Sequence, residues 1–104
     1  MTRQVVVVGG GIAGLTALRQ IRKQPGVDAV LLEASSRLGG KIRTTNFLGR
    51  PVDEGADAFI TRVPWGIELC TELGLDSFLI SPATSTAYVL VDGVLRKLPE
   101  GLVL

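Results

Sequence analysis

Four consecutive valines, Val5 to Val8, run directly into Gly9-Gly10-Gly11-Ile12-Ala13-Gly14-Leu15. β-Branched residues suit extended backbone, so the valine run predicts a strand. Gly9, Gly11 and Gly14 then fall at G-x-G-x-x-G spacing. Ala13, Ala17, Leu18 and Ile21 follow at helical spacing, with Arg19, Arg22 and Lys23 on the other side or near the end. Strand, glycine turn and helix in that order give a common motif its meaning. Gly9 permits the tight turn, Gly11 bares backbone to a pyrophosphate, and Gly14 lets the helix lie close to the strand. A helix beginning near Ile12 points its unpaired N–H groups and the positive end of its dipole at the same place.

Pro25-Gly26 stops that helix, and Ala29-Val30-Leu31-Leu32 is a continuous apolar run. Such a run is expected of a parallel strand covered on both faces. It ends in Glu33, about 20 residues beyond Gly14. A carboxylate there accepts hydrogen bonds from both hydroxyls of an adenosine ribose and repels a 2′-phosphate, which favours FAD or NAD over NADP. A blander reading is tight strand–helix packing with Glu33 as a solvated strand end. The common register of strand, glycines, helix, second strand and acid favours the dinucleotide.

Composition removes several alternatives. Lys and Arg number 11 against 10 for Asp and Glu, so the chain carries no charge excess that would attract nucleic acid. At 46% apolar it is not a disordered sequence. Its apolar runs are too short to cross a bilayer. Met1-Thr2-Arg3-Gln4 runs straight into the first strand, leaving no room for a signal peptide. The one cysteine, Cys70, sits near Leu69 and Leu73 and reads as a small core residue, which makes a reducing, cytoplasmic setting the default. With no histidine, neither a histidine-based triad nor a histidine metal site is available, and no metal is expected.

Beyond Glu33, Gly39 and Gly40 stand among Arg37, Lys41 and Arg43. Backbone amides plus cations make an anion site, so this segment is either a second contact to the pyrophosphate or a basic loop. Thr45 to Asp53 reads as a hairpin around Gly49-Arg50. In Glu54-Gly55-Ala56-Asp57-Ala58-Phe59 the small residues fit a planar ring close to the chain, or a tight loop before a helix. Pro64 to Leu73 predicts a helix with Gly74 as its stop. Asp92-Gly93 between Ala87–Val91 and Val94–Leu98 is a hairpin signal, ended by Pro99-Glu100-Gly101. Gly101-Leu102-Val103-Leu104 is apolar and uncapped, as if more strands of a sheet were to follow.

These segments together resemble the N-terminal part of the bacterial protoporphyrinogen/coproporphyrinogen oxidases, FAD enzymes of haem biosynthesis within the amine-oxidase-like flavoproteins. The resemblance rests on Gly9 to Leu15, on Glu33-Ala34, on Arg37-Leu38-Gly39-Gly40-Lys41-Ile42-Arg43-Thr44, on Glu54 to Phe59, and on the hairpin from Tyr88 to Pro99. The wider group usually has arginine where Lys41 stands, whereas the porphyrinogen branch often has lysine there; that branch usually shows proline and serine where Ala56 and Ala58 stand. The fold so implied is α/β. Residues 1–104 would form the N-terminal part of an FAD-binding, Rossmann-like domain, a βαβ unit with added β-hairpins.

The resemblance implies that Gly9, Gly10, Gly11, Ile12, Ala13 and Gly14 hold the FAD pyrophosphate, and that Glu33, with Ala34, holds the ribose. It further implies that Arg37, Gly40 and Lys41 follow the pyrophosphate and ribityl chain, and that Gly55, Ala56, Asp57 and Ala58 line the flavin. The activity implied is oxygen-dependent oxidation of protoporphyrinogen IX or coproporphyrinogen III by hydride transfer to flavin, with porphyrinogen and dioxygen as partners. The substrate pocket belongs to later parts of such proteins, so no catalytic residue is assigned. Any peripheral membrane contact would also belong to those parts. The alternatives are a flavoprotein acting on an amine or a carotenoid precursor, and a nucleotide-binding module without turnover. Exposed sheet edges would favour self-association of the segment.

Overall fold

β1 (Arg3–Val8) and β2 (Val27–Leu32) pair in parallel, joined through helix α1 (Ile12–Arg22). The computed structural model describes residues 1–84 and 86–99. The chain divides into two compact units, Met1–Thr61 and a second that begins at Arg62. The expected Glu100-Gly101 end of the last hairpin and the apolar Gly101–Leu104 lie outside the described residues.

In the first unit, the β1–β2 register sets Val5 against Ala29 and Val7 against Leu31. Side chains alternate across a strand, so these four share one face. α1 packs on both strands. Val5, Val7 and Leu31 are half-buried and Ala29 is buried. The Arg22 guanidinium donates to the Ala29 carbonyl at 3.1 Å and ties the end of the helix to the second strand.

The opposite face departs from the expectation of a strand pair covered on both sides. Val6, Val8, Val30 and Leu32 remain 57, 82, 49 and 54% exposed. A parallel pair needs a layer on each face, and α1 supplies one of them.

α1 also differs in rotation from the expected apolar face. Gly14, Leu15, Leu18 and Ile21 are half-buried, whereas Ala13, Ala17 and Gln20 are exposed. Gly14 lies against the Gly9 carbonyl and the Val7 side chain. That close approach sets which side of the helix meets the sheet. An alanine methyl carries too little apolar area to compete with it.

β3 (Thr44–Phe47) and β4 (Arg50–Asp53) form an antiparallel hairpin. Its turn is Leu48-Gly49, one residue earlier than expected, and Arg50 opens β4. Both turn residues have positive φ, 51° and 79°, which a two-residue turn matching the strand twist demands. Gly49 adopts that conformation without cost; Leu48 is held there at about 1–2 kcal/mol. The Asn46 side chain accepts the Gly49 amide at 2.8 Å and stabilises this register.

In the second unit, α2 (Trp65–Glu72) begins after Pro64. It closes with Gly74 N–H on Thr71 O and Leu75 N–H on Cys70 O, the paired bonds of a Schellman end. Cys70 is half-buried and makes no disulfide. β5 (Tyr88–Val91) and β6 (Val94–Lys97) pair antiparallel around Asp92-Gly93, as the Asp-Gly signal predicts. The Leu98 amide extends the ladder to Ala87 O at 2.9 Å. Among the described residues, no helix is long and apolar enough to cross a membrane.

Candidate functional site: a glycine turn clasped by Glu33

The glycine turn opens where β1 ends. The Gly9 amide donates to Leu32 O at 2.8 Å, carrying the parallel ladder one residue past Val8. Gly9 then turns at φ 99°, a conformation that L side chains resist. Gly10 is buried. Gly11 is the extended N-cap of α1, with no side-chain cap, and the first turn of the helix holds no acidic residue. A side-chain carbon built on Gly11 would have no atom within 4 Å. The amides at the start of α1 have no partner within the helix, and the dipole makes that end positive. Bare backbone and a positive helix end therefore meet in one cradle that a side chain would fill. The residues present fit a diphosphate.

Glu33 follows the tip of β2 and reaches back over the turn. Its Oε2 accepts the Gly10 amide at 2.6 Å, and its Oε1 accepts the Ser35 amide at 2.7 Å. The Ser35 amide, and after it the Gly10 amide, hold this carboxyl well below the ordinary range, at about 2 instead of 4.5. It is a carboxylate at neutral pH. A carboxylate offers about four acceptor positions, more than these two amides occupy. The clasp itself was not legible in the motif. The nearest signal is a serine two residues after the acid, placed for a local side-chain-to-backbone bond.

The pKa shift carries a pH dependence. The charged form makes the two bonds, so Glu33 stabilises the fold above pH 4.5, and that contribution is lost as pH falls towards about 2. Glu33→Gln is expected to lower the denaturation midpoint above pH 4.5, with the gap to wild type closing towards pH 2. A gap that stays constant from neutral pH to pH 2 would remove the clasp.

The loop after Glu33 lies along the turn. The Gly39 amide donates to Gly10 O at 2.8 Å, and Gly39 bridges Gly11 in parallel. Gly40 abuts Gly11 so closely that a Cβ on it would sit 3.1 Å from the Gly11 Cα. The Gly39 amide is thus engaged with protein, in contrast to the expectation that both glycines of the pair present amides to an anion. Arg37 donates to the carbonyls of Leu38, Gly40 and Ile42.

Lys41 is exposed, and its carbonyl lies 2.6 Å from where a Cβ on Gly55 would stand. Glu54 is fixed beside Arg43 by its amide on Arg43 O at 2.8 Å and by an ion pair at 3.2 Å. The structure thus brings Gly9 to Gly14, Glu33 and Gly40 together, with Ile12 and Ala13 in the first turn of α1, and sets the Lys41 carbonyl against Gly55. Ala34 is exposed beside Glu33. Ala56, Asp57 and Ala58 are exposed in irregular backbone after Gly55.

A strand–turn–helix–strand unit with a bare glycine cradle and an acid at its rim defines a nucleotide-binding class of protein. The model of the flavin-containing amine oxidoreductases matches residues 12–103, and the chain belongs to that family. Among its relatives it is similar to the coproporphyrinogen III oxidase of Bacillus subtilis (strain 168), at 38% identity over 98% of this chain and 23% of that protein. It is also similar, at 38% identity, to human protoporphyrinogen oxidase, over 98% of this chain and 24% of the other. A crystal structure assigned to a protoporphyrinogen oxidase from Exiguobacterium sp. 255-15 superposes with a TM-score of 0.83 at 36% identity, covering 99% of this chain and 23% of that one. The chain spans about a quarter of the length of these proteins.

Proposed function

We propose that this chain is the FAD-binding, Rossmann-like portion of an oxygen-dependent porphyrinogen oxidase acting on protoporphyrinogen IX or coproporphyrinogen III. The observation that carries the reading is the glycine cradle at the start of α1 with the Glu33 carboxylate at its rim, in a chain 38% identical to a coproporphyrinogen III oxidase.

Gly9 to Gly14 would hold the pyrophosphate, Gly9 and Gly10 by shaping the turn, since their amides are bonded to Leu32 O and Glu33, and the residues that open α1 through their amides. Glu33 would accept the ribose hydroxyls on the acceptor positions its backbone clasp leaves. Gly40 and Lys41 would extend the anion site along the pyrophosphate and ribityl chain, and Gly55 to Ala58 would bring small side chains to the flavin. When bound, the flavin supplies the hydride acceptor, and dioxygen re-oxidises it. The residues of this chain bind and orient; none of them is assigned a proton or a bond to the substrate. A cytoplasmic setting is part of the same proposal, where the unpaired Cys70 would stay reduced. The bare apolar face of Val6, Val8, Val30 and Leu32 supports self-association of the 104-residue segment on its own.

Anaerobic mixing tests the reading. In the flavin-loaded full-length protein, either porphyrinogen is expected to bleach the oxidised-flavin absorbance, and air to restore it. A flavin that ignores both porphyrinogens and bleaches with an amine would overturn the porphyrinogen reading and leave the family intact.

A further inference from the structure

We propose that Arg37 is a positioning residue, which staples the loop Leu38–Ile42 against the glycine turn and acts on a bound diphosphate through that loop, not by touching it. The inference rests on the reading of the glycine turn as the FAD site and assigns one of its cations a different task.

Arg37 Nη1 donates to the carbonyls of Leu38, at 3.2 Å, and Ile42, at 3.3 Å, and Nη2 donates to Gly40 O. Three carbonyls from five consecutive residues thus converge on one guanidinium. They converge because Gly39 and Gly40 turn the backbone at φ 107° and 57°. Carbonyl dipoles aimed at one point repel each other unless a cation sits there. A planar fork with five donors fits that arrangement, and a point-like ammonium does not.

The folded loop is then the part that meets the site. The Gly39 amide reaches Gly10 O at 2.8 Å, the Ile42 amide closes the loop on Gly39 O at 3.0 Å, and Gly40 packs on Gly11. Arg37 itself is anchored from behind, since the Ser35 hydroxyl donates to its carbonyl at 2.8 Å. An arginine that bound the diphosphate directly would turn its paired Nη atoms towards the anion; here both Nη atoms face the loop carbonyls. Direct charge for the anion falls instead to Lys41, which is exposed on the same loop.

The test uses the full-length protein as wild type, Arg37→Lys and Arg37→Met. Arg37 is exposed, so neither substitution disturbs buried packing. In the cofactor-free proteins, amide hydrogen exchange at Gly39 and Ile42 is expected to quicken by about tenfold or more in both variants. FAD affinity is expected to fall alike in both, because lysine cannot bridge the three carbonyls. The salt dependence of that affinity is expected to match wild type, since no ion pair with the cofactor is lost. A lysine variant that binds FAD like wild type, unchanged exchange, or a flattened salt dependence in Arg37→Met would each overturn the proposal. If the wild-type protein binds no FAD, the functional reading fails by itself. The exchange comparison then still decides whether Arg37 holds the loop.

Discussion

Gly14→Ala is expected to destabilise the fold by about 2 kcal/mol or more, with or without cofactor. Two effects oppose each other at this position. Alanine is the better helix former by about 1 kcal/mol, which acting alone would stabilise α1. Against it, a Cβ on Gly14 would collide with the Gly9 carbonyl oxygen and crowd the Gly9 carbonyl carbon at 3.0 Å. The obstacle is backbone, and it is held: the Gly9 amide is bonded to Leu32 O. Relief requires α1 to lift from β1, exposing Val5, Val7 and Ala29. The collision therefore wins. Urea denaturation of the cofactor-free protein measures the outcome as a fall in midpoint at unchanged slope. A rise in midpoint would mean that the helix and strand do not approach as described.

The parts of this architecture that were legible share one property: each is set by residues close in sequence. The valine run, the glycine spacing, Pro25-Gly26 and Asp92-Gly93 are local signals, and β1, α1, β2 and the last hairpin follow from them. What was not legible depends on long-range contact or on competition between neighbours. The rotation of α1 is decided by Gly14 against Gly9 and Val7 across the strand, which alanine periodicity does not reveal. The first hairpin turns one residue early because Asn46 caps Gly49, and this outweighs the strain at Leu48. Glu33 was legible as an acid at a strand tip, its usual place for ribose. Its bonds to Gly10 and Ser35 belong to a loop whose path no motif encodes. Around Gly39-Gly40 composition leaves an anion site and a basic loop both open, and the fold directs the Gly39 amide to Gly10. The apolar run of β2 suggested a strand covered on both faces, whereas cover is a property of neighbouring layers.

Gly11→Val separates binding from folding more sharply than any other change in the turn. The backbone at Gly11 is extended, at φ −76° and ψ −178°, which valine adopts readily. No atom lies within 4 Å of the position its Cβ would take, so the fold has room for that carbon. The structural cost reduces to a poorer helix N-cap, about 1 kcal/mol or less. The space it enters is where the diphosphate would approach the amides of α1. Losing two charge-assisted bonds there, at about 1.5–3 kcal/mol each, weakens FAD binding by a hundredfold or more, on the order of full loss of bound flavin on desalting. Glu33→Ala, which leaves those amides open, is expected to weaken FAD less, by about tenfold or somewhat more. Flavin absorbance after gel filtration and the denaturation midpoint of the cofactor-free protein, measured on the same preparations, distinguish the two effects. A Gly11→Val protein that folds and keeps a full complement of flavin would show that the diphosphate lies elsewhere, and the nucleotide reading of this turn would fall with it.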